Sequence, residues 1–324
     1  MQSDCPLVMR KIFLVVLLQT VTINLAISQR VQWRSFSFTE ENEFFNIFQH
    51  GIDRFYTQGL QFEFKYSVSR SRLFERLMIP LKGGSTNIYS LSIFQKIYTP
   101  GRTDLYDYVG DHPYVGTLFL SQGLDSYDSV KQSRLVSRLD AGVIGPAALA
   151  KNTQDLFHEV INNDPAIALN KELRNDIFLN YSMTIETDLT RHGKKFRIES
   201  KGEVNLGTAL VSAIPGINFE YGPWYRSDRT FKWQLFFRPE VRVVAFNAML
   251  QGGILNQAYA DEAYSRFFLH RIKPLVYSHS TGIRLSYRRY QMLYRQVNLT
   301  REFTHQKPHY YSTVQFVFPL GGNN

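Results

Sequence analysis

The chain of 324 residues holds one cysteine, Cys5. It falls in a leader-like segment, so the exported protein is expected to carry no thiol. That excludes disulfide frameworks, zinc-thiolate sites and cysteine nucleophiles. Beyond Ser28 no stretch approaches the roughly 20 apolar residues that a membrane-spanning helix needs, so entry into a bilayer would have to be as a barrel. No Gly-x-Ser-x-Gly elbow and no phosphate-binding Walker loop occurs, which leaves serine-hydrolase and nucleotide chemistry without support. Internal repeats, low-complexity runs and linkers are missing too, and one domain follows the leader. Basic charge is in excess, 37 Lys and Arg against 28 Asp and Glu. It is spread along the chain without a recognised nucleic-acid module, so no nucleic-acid partner is expected.

Aromatic residues are plentiful, with 25 Phe and 19 Tyr. Residues 1–28 read as a signal peptide: Arg10 and Lys11 form its basic region, IFLVVLL its apolar stretch, and Ala26-Ile27-Ser28 a small-residue cleavage site. Residues 29–324 form the mature domain. Their dominant period is two. In QFEFKYSV, Phe62, Phe64, Tyr66 and Val68 point one way and Gln61, Glu63, Lys65 and Ser67 the other.

The same alternation marks about twelve segments, at 34–42, 55–68, 88–98, 114–124, 133–145, 176–190, 195–206, 208–220, 231–245, 265–277, 281–294 and 309–318. Long, even-numbered alternating strands behind a leader predict an all-β fold: a single antiparallel outer-membrane barrel of about twelve strands, apolar toward lipid and polar within. Twelve strands leave a narrow lumen, which residues such as Glu63, Lys65, Glu186 and Asp188 could fill with salt bridges. The period breaks at Ala147–Asp164, which reads as a short helix in the connection after the fifth strand. With both termini periplasmic, the connections at 43–54, 99–113 and 146–175 emerge together on the extracellular side.

Those connections hold the candidate chemistry. Glu40, Glu41, Asn42, Glu43, Asp53 and Thr57 form an oxygen-rich set of the kind a hard cation such as calcium prefers, although a solvated acidic loop reads the same way. Gln154 and His158 sit at i and i+4 on one face of the helix. A histidine near neutral pKa can take a proton from water, but a lone helical histidine more often serves structure. Arg102 could grip a phosphate or simply face solvent. His112, in Asp111-His112-Pro113-Tyr114, has an equally plain reading as a turn residue.

Across EENEFF, DRFYTQGLQFEF, the IYTP and GDHPYVGTLFL block, GVIGP followed by TQDLFH, and FNAMLQGG and NLTREFTHQ near the end, the chain resembles the LpxR-type lipid A 3′-O-deacylases. These are calcium-dependent outer-membrane barrels of twelve strands. The resemblance implies an ester hydrolase of a Gram-negative outer membrane that releases 3′-linked acyl chains from lipid A, with calcium as cofactor and the chain acting as a monomer. It implies His158 as catalytic base, Asn42, Glu43 and Thr57 as further catalytic residues with Glu43 and Thr57 at the metal, and Arg102 at the substrate. Family members carry Asp where this chain has Glu43, and Arg102 stands in place of a family lysine. The competing readings are a barrel that binds lipid or serves structure without catalysis, and a small porin.

Overall fold

The computed structural model describes residues 31–47, 55–68, 75–100, 112–161, 172–190, 195–223, 230–255, 272–304 and 306–321, with only the backbone at 157, 158, 160 and 161. The proposed leader, residues 1–28, lies outside the described residues. Twelve strands close into one antiparallel barrel in sequence order: β1 Val31–Asn42, β2 Phe55–Val68, β3 Thr86–Thr99, β4 Val115–Asp128, β5 Ser133–Ile144, β6 Asp176–Asp188, β7 Phe196–Gly207, β8 Leu210–Tyr221, β9 Phe231–Asn247, β10 Leu275–Tyr287, β11 Tyr290–Leu299 and β12 His309–Pro319. Pairing of β1 with β12, Phe36 opposite Phe318 and Phe38 opposite Phe316, completes the cylinder and leaves no free edge.

The alternation expected of a membrane barrel is present on both faces. Phe62, Phe64, Leu91, Ile93, Leu120, Leu179 and Ile185 face outward and are exposed, as residues facing lipid must be. The lumen is crossed by ion pairs: Arg134 with Asp125 (2.6 Å) and Glu186 (3.1 Å), Arg197 with Glu220 and Glu199, and Lys201 with Glu240 (2.6 Å) and Glu203 (3.0 Å). Glu63 and Lys65 pair at 3.7 Å.

Both termini and the connections 129–132 and 288–289 share one end, and these short turns mark it as periplasmic. Exposed Trp33, Phe196, Tyr221, Phe231, Tyr287 and Tyr290, all of outward parity, ring that end as an aromatic girdle.

Two expected strands sit elsewhere. The tenth, expected at 265–277, is Leu275–Tyr287, because Pro274 cannot donate to a ladder and closes off the run before it. The eleventh, expected at 281–294, is Tyr290–Leu299. Residues 281–294, expected as a single strand, hold a hairpin that turns at Arg288-Arg289, with Arg288 at φ 54°. That turn lacks the Asn-Gly or Asp-Gly signature that normally announces left-handed backbone. The helix is shorter than expected. A turn of 3-10 helix, Pro146–Ala148, precedes Leu149 at φ 58°, and the α-helix proper is Ala150–Ile161.

Candidate functional site on the outer wall

At the extracellular rim β1 ends in Asn42, directly opposite Gln58 on β2. The Asn42 side-chain oxygen accepts the Phe44 amide at 2.7 Å, a local turn that reverses the chain and sets Glu43 into a buried position at the strand end. Alternation divides the oxygen-rich cluster read from the sequence. Glu41 points into the lumen, where it accepts the Tyr56 hydroxyl and pairs with Arg295 at 3.1 Å. Asn42 belongs to the opposite face. The cluster is therefore smaller than its sequence: Glu41 is committed elsewhere, and Asp53 lies outside the described residues.

Thr57 is the extra residue of a β-bulge, since Tyr56 pairs with Tyr98 and Gln58 with Ile97. Two residues of β2 there oppose one of β3, which re-aims a side chain. The Thr57 hydroxyl meets that of Thr99, at the end of β3, at 2.5 Å, and both residues are buried. Sequence reasoning missed Thr99. Its outward parity with Ile93 and Ile97, two residues before the turn, was the available signal. Arg102, just beyond, lies outside the described residues.

The helix Ala150–Ile161 docks on the outside of the wall made by β3 and β4, not in the lumen. Gln95 donates to the Ala148 carbonyl at 2.7 Å, Tyr114 donates to the Gln154 side chain at 3.0 Å, and Ile97, Tyr114 and Ala150 form a buried cluster. Gly116 permits this approach: a Cβ there would stand 2.6 Å from the Ala150 Cβ. Position 158 follows Gln154 by one turn and so lies on the same helical face, but the His158 side chain is outside the described residues. His112 stacks on Tyr98 with ring centroids 5.3 Å apart and its Nδ1 2.6 Å from the Pro113 carbonyl oxygen. That is the turn role.

Glu172, at the foot of the connection returning to β6, forms a bridge with Tyr114. Burial raises its carboxyl above the usual range. The Tyr114 hydroxyl is likewise raised, first by burial and then by the charges of Glu172 and Asp155, so it stays a proton donor to Gln154.

A separate cavity of about 220 Å³ lies inside the barrel among Tyr56, Lys96, Tyr98, Arg138, Arg242 and Tyr311. The wall separates it from Asn42, Thr57 and the helix, so it does not open onto the lipid side where those residues sit.

The rim donors suit a hard cation in kind, because a carboxylate, an amide oxygen and a hydroxyl are all oxygen ligands. Among the described residues no group of three His, Cys, Asp or Glu could hold a metal. Water and substrate oxygens would have to complete the usual six to eight ligands.

A model of the family described as outer membrane protein LpxR matches residues 12–319. Among solved structures the chain is similar to LpxR from Salmonella typhimurium, with a TM-score of 0.70 and 18% identity over 88% of this chain and 99% of that chain. That identity speaks for the fold alone. The β domain of the Bordetella autotransporter Brka aligns over 90% of this chain and 98% of its own at 8% identity, with a TM-score of 0.44 that carries no argument. No curated relative matches the chain.

Proposed function

Because the chain belongs to the LpxR family of outer-membrane proteins, we propose that it is an ester hydrolase that removes 3′-linked acyl chains from lipid A at the outer leaflet. The observation that carries this reading is the position of the helix. The backbone that bears His158 is held on the lipid side of the β3–β4 wall by Gln95, Tyr114 and Gly116. It stands at the same rim as the strand ends that carry Asn42 and Thr57. A substrate whose acyl chains lie in the leaflet reaches this face without entering the lumen.

In the proposed reaction His158 takes a proton from water as the water oxygen bonds to the ester carbonyl carbon. The bond from that carbon to the sugar oxygen then breaks, the proton passes to the departing oxygen, and a free fatty acid leaves. Asn42, Glu43 and Thr57 orient the ester at the strand ends, and Thr99 fixes the Thr57 hydroxyl for that task. Glu43 and Thr57 would hold calcium, which supplies charge to polarise the carbonyl and stabilise its developing oxyanion. Arg102 would meet an anionic group of the lipid.

Mass spectrometry of lipid A from cells expressing the chain tests the reading. Loss of the 3′ acyl mass is expected for the wild type. For His158→Ala the rate should fall about 10²- to 10⁴-fold, as for removal of a general base, with barrel folding intact by heat-modifiable migration. Chelator should give the same loss, reversed by calcium. Undiminished release in folded His158→Ala would refute the mechanism.

A further inference from the structure

The connection 69–85 is longer than the others at the periplasmic end, 129–132, 189–195, 222–230 and 288–289. Its described part runs back along the outside of the barrel instead of below it. The Met78 side chain is buried against Tyr66, Tyr89 and Leu124, all of which share the outward parity of exposed Phe64, Leu91 and Leu120. Polar side chains that would otherwise face lipid are satisfied by its backbone. Tyr181 donates to the Leu77 carbonyl at 3.0 Å, the Ile79 amide donates to Ser137 at 3.0 Å, and the Leu81 amide donates to Ser126 at 2.9 Å. Polar groups on a lipid-facing wall are costly unless covered, and this segment covers them.

What the segment turns outward is specific. Leu77 and Ile79 are 49% and 46% exposed, and Arg76 and Lys82 beside them are also exposed. Large apolar side chains flanked by cations fit neither the hydrocarbon core nor open water. They fit the boundary between them, where an apolar surface enters the acyl region and basic side chains meet headgroup phosphates. The segment packs on Tyr66 and Tyr89, and Tyr66 lies against Trp33 of the girdle with ring centroids 5.7 Å apart, the level at which aromatic rings mark that boundary.

We propose that Glu75–Lys82 is a lipid-binding foot for the periplasmic leaflet. Leu77 and Ile79 insert among acyl chains, and Arg76 and Lys82 hold the phosphates of anionic phospholipids. The foot is at the opposite end of the barrel from the lipid A site and does not depend on that reading.

Nanodiscs of phosphatidylcholine containing phosphatidylglycerol as a minor component provide the test, with the full chain embedded and lipids retained on release counted by native mass spectrometry. The wild type should retain phosphatidylglycerol well above its share of the disc. Arg76→Gln with Lys82→Gln should lose roughly fivefold in that preference for each charge removed, with heat-modifiable migration unchanged. Equal retention by the two proteins overturns the proposal. A nitroxide on Ile79→Cys, in a Cys5→Ser background, reads insertion without relying on charge. Greater accessibility to oxygen than to a water-soluble nickel complex is expected. Nickel accessibility like that of a label in water would place the foot outside the bilayer, facing a soluble partner, and would equally overturn the proposal.

Discussion

Gly116→Val separates the helix from the barrel that carries it. A Cβ at 116 would lie 2.6 Å from the Cβ of Ala150 and 3.1 Å from that of Ala148, and the two methyls of valine add to the clash. Overfilling a packed contact costs about 1–3 kcal/mol. The helix is held by two hydrogen bonds, Gln95 to Ala148 and Tyr114 to Gln154, each about 1 kcal/mol net, together with the small buried surface of Ala150. The penalty is thus comparable to the docking energy. The β4 ladders to β3 and β5 lie in the sheet and are not touched. The helix should therefore detach while the barrel closes normally. Hydrogen–deuterium exchange should show protection across 150–161 falling about tenfold or more, since 1.4 kcal/mol is a factor of ten. Heat-modifiable migration should stay as in the wild type. Release of the 3′ fatty acid should fall by about 10²-fold, the cost of misplacing a reacting group by roughly an ångström. Faster exchange with undiminished release would show that the helix takes no part in the chemistry. Unchanged exchange would refute the packing argument itself.

Thr99→Val removes the partner of the buried Thr57 hydroxyl. Leaving that group unsatisfied should cost about 1–3 kcal/mol locally, and lipid A deacylation should drop while Thr99→Ser stays near wild type; equal rates for the Val and Ser variants would remove Thr99 from the site. Glu172 has its carboxyl raised by burial in the folded chain. The folded state therefore holds the proton more tightly than the unfolded one, and the stability this contributes at acid pH is lost as pH rises through the raised value. Glu172→Gln should accordingly raise the thermal midpoint at pH 7 and bring no gain near pH 4. A gain of equal size at both values would rule the assignment out.

The barrel was legible because its two environments impose a period of two on nearly every strand, and the expected strands at 55–68 and 133–145 fall almost where the structure has them. The reading slipped where punctuation was missing. Arg288 adopts a left-handed turn without glycine or asparagine, so two strands were displaced along the chain. Asn42 and Thr57 were legible as residue types at strand ends, but Glu41 was wrongly grouped with them. The same alternation that locates β1 assigns Glu41 and Asn42 to opposite faces. Thr99 and Gly116 act through a bulge and a close approach, features of pairing across strands that no single segment displays.

The placement of the site follows from how the lumen is filled. Arg134, Arg197 and Lys201 with their carboxylates bridge the inner half of the lumen, and around the cavity of its outer half Arg242 pairs with Glu302 at 3.6 Å and Arg295 with Glu41 at 3.1 Å. An acyl chain entering there would have to break buried ion pairs and leave charges without partners, at several kcal/mol each. The outer wall carries no such cost, because its surface already faces lipid. Chemistry on an acylated lipid therefore belongs on the outside of the cylinder, and the wall needs one departure from regular alternation to support it. The Thr57 bulge turns a hydroxyl toward Thr99, while Gly116 lets a helix lie close against β4. The foot at the other end obeys the same rule. Ser126, Ser137 and Tyr181 are polar on the lipid face, and there a segment of the chain covers them and takes up their hydrogen bonds.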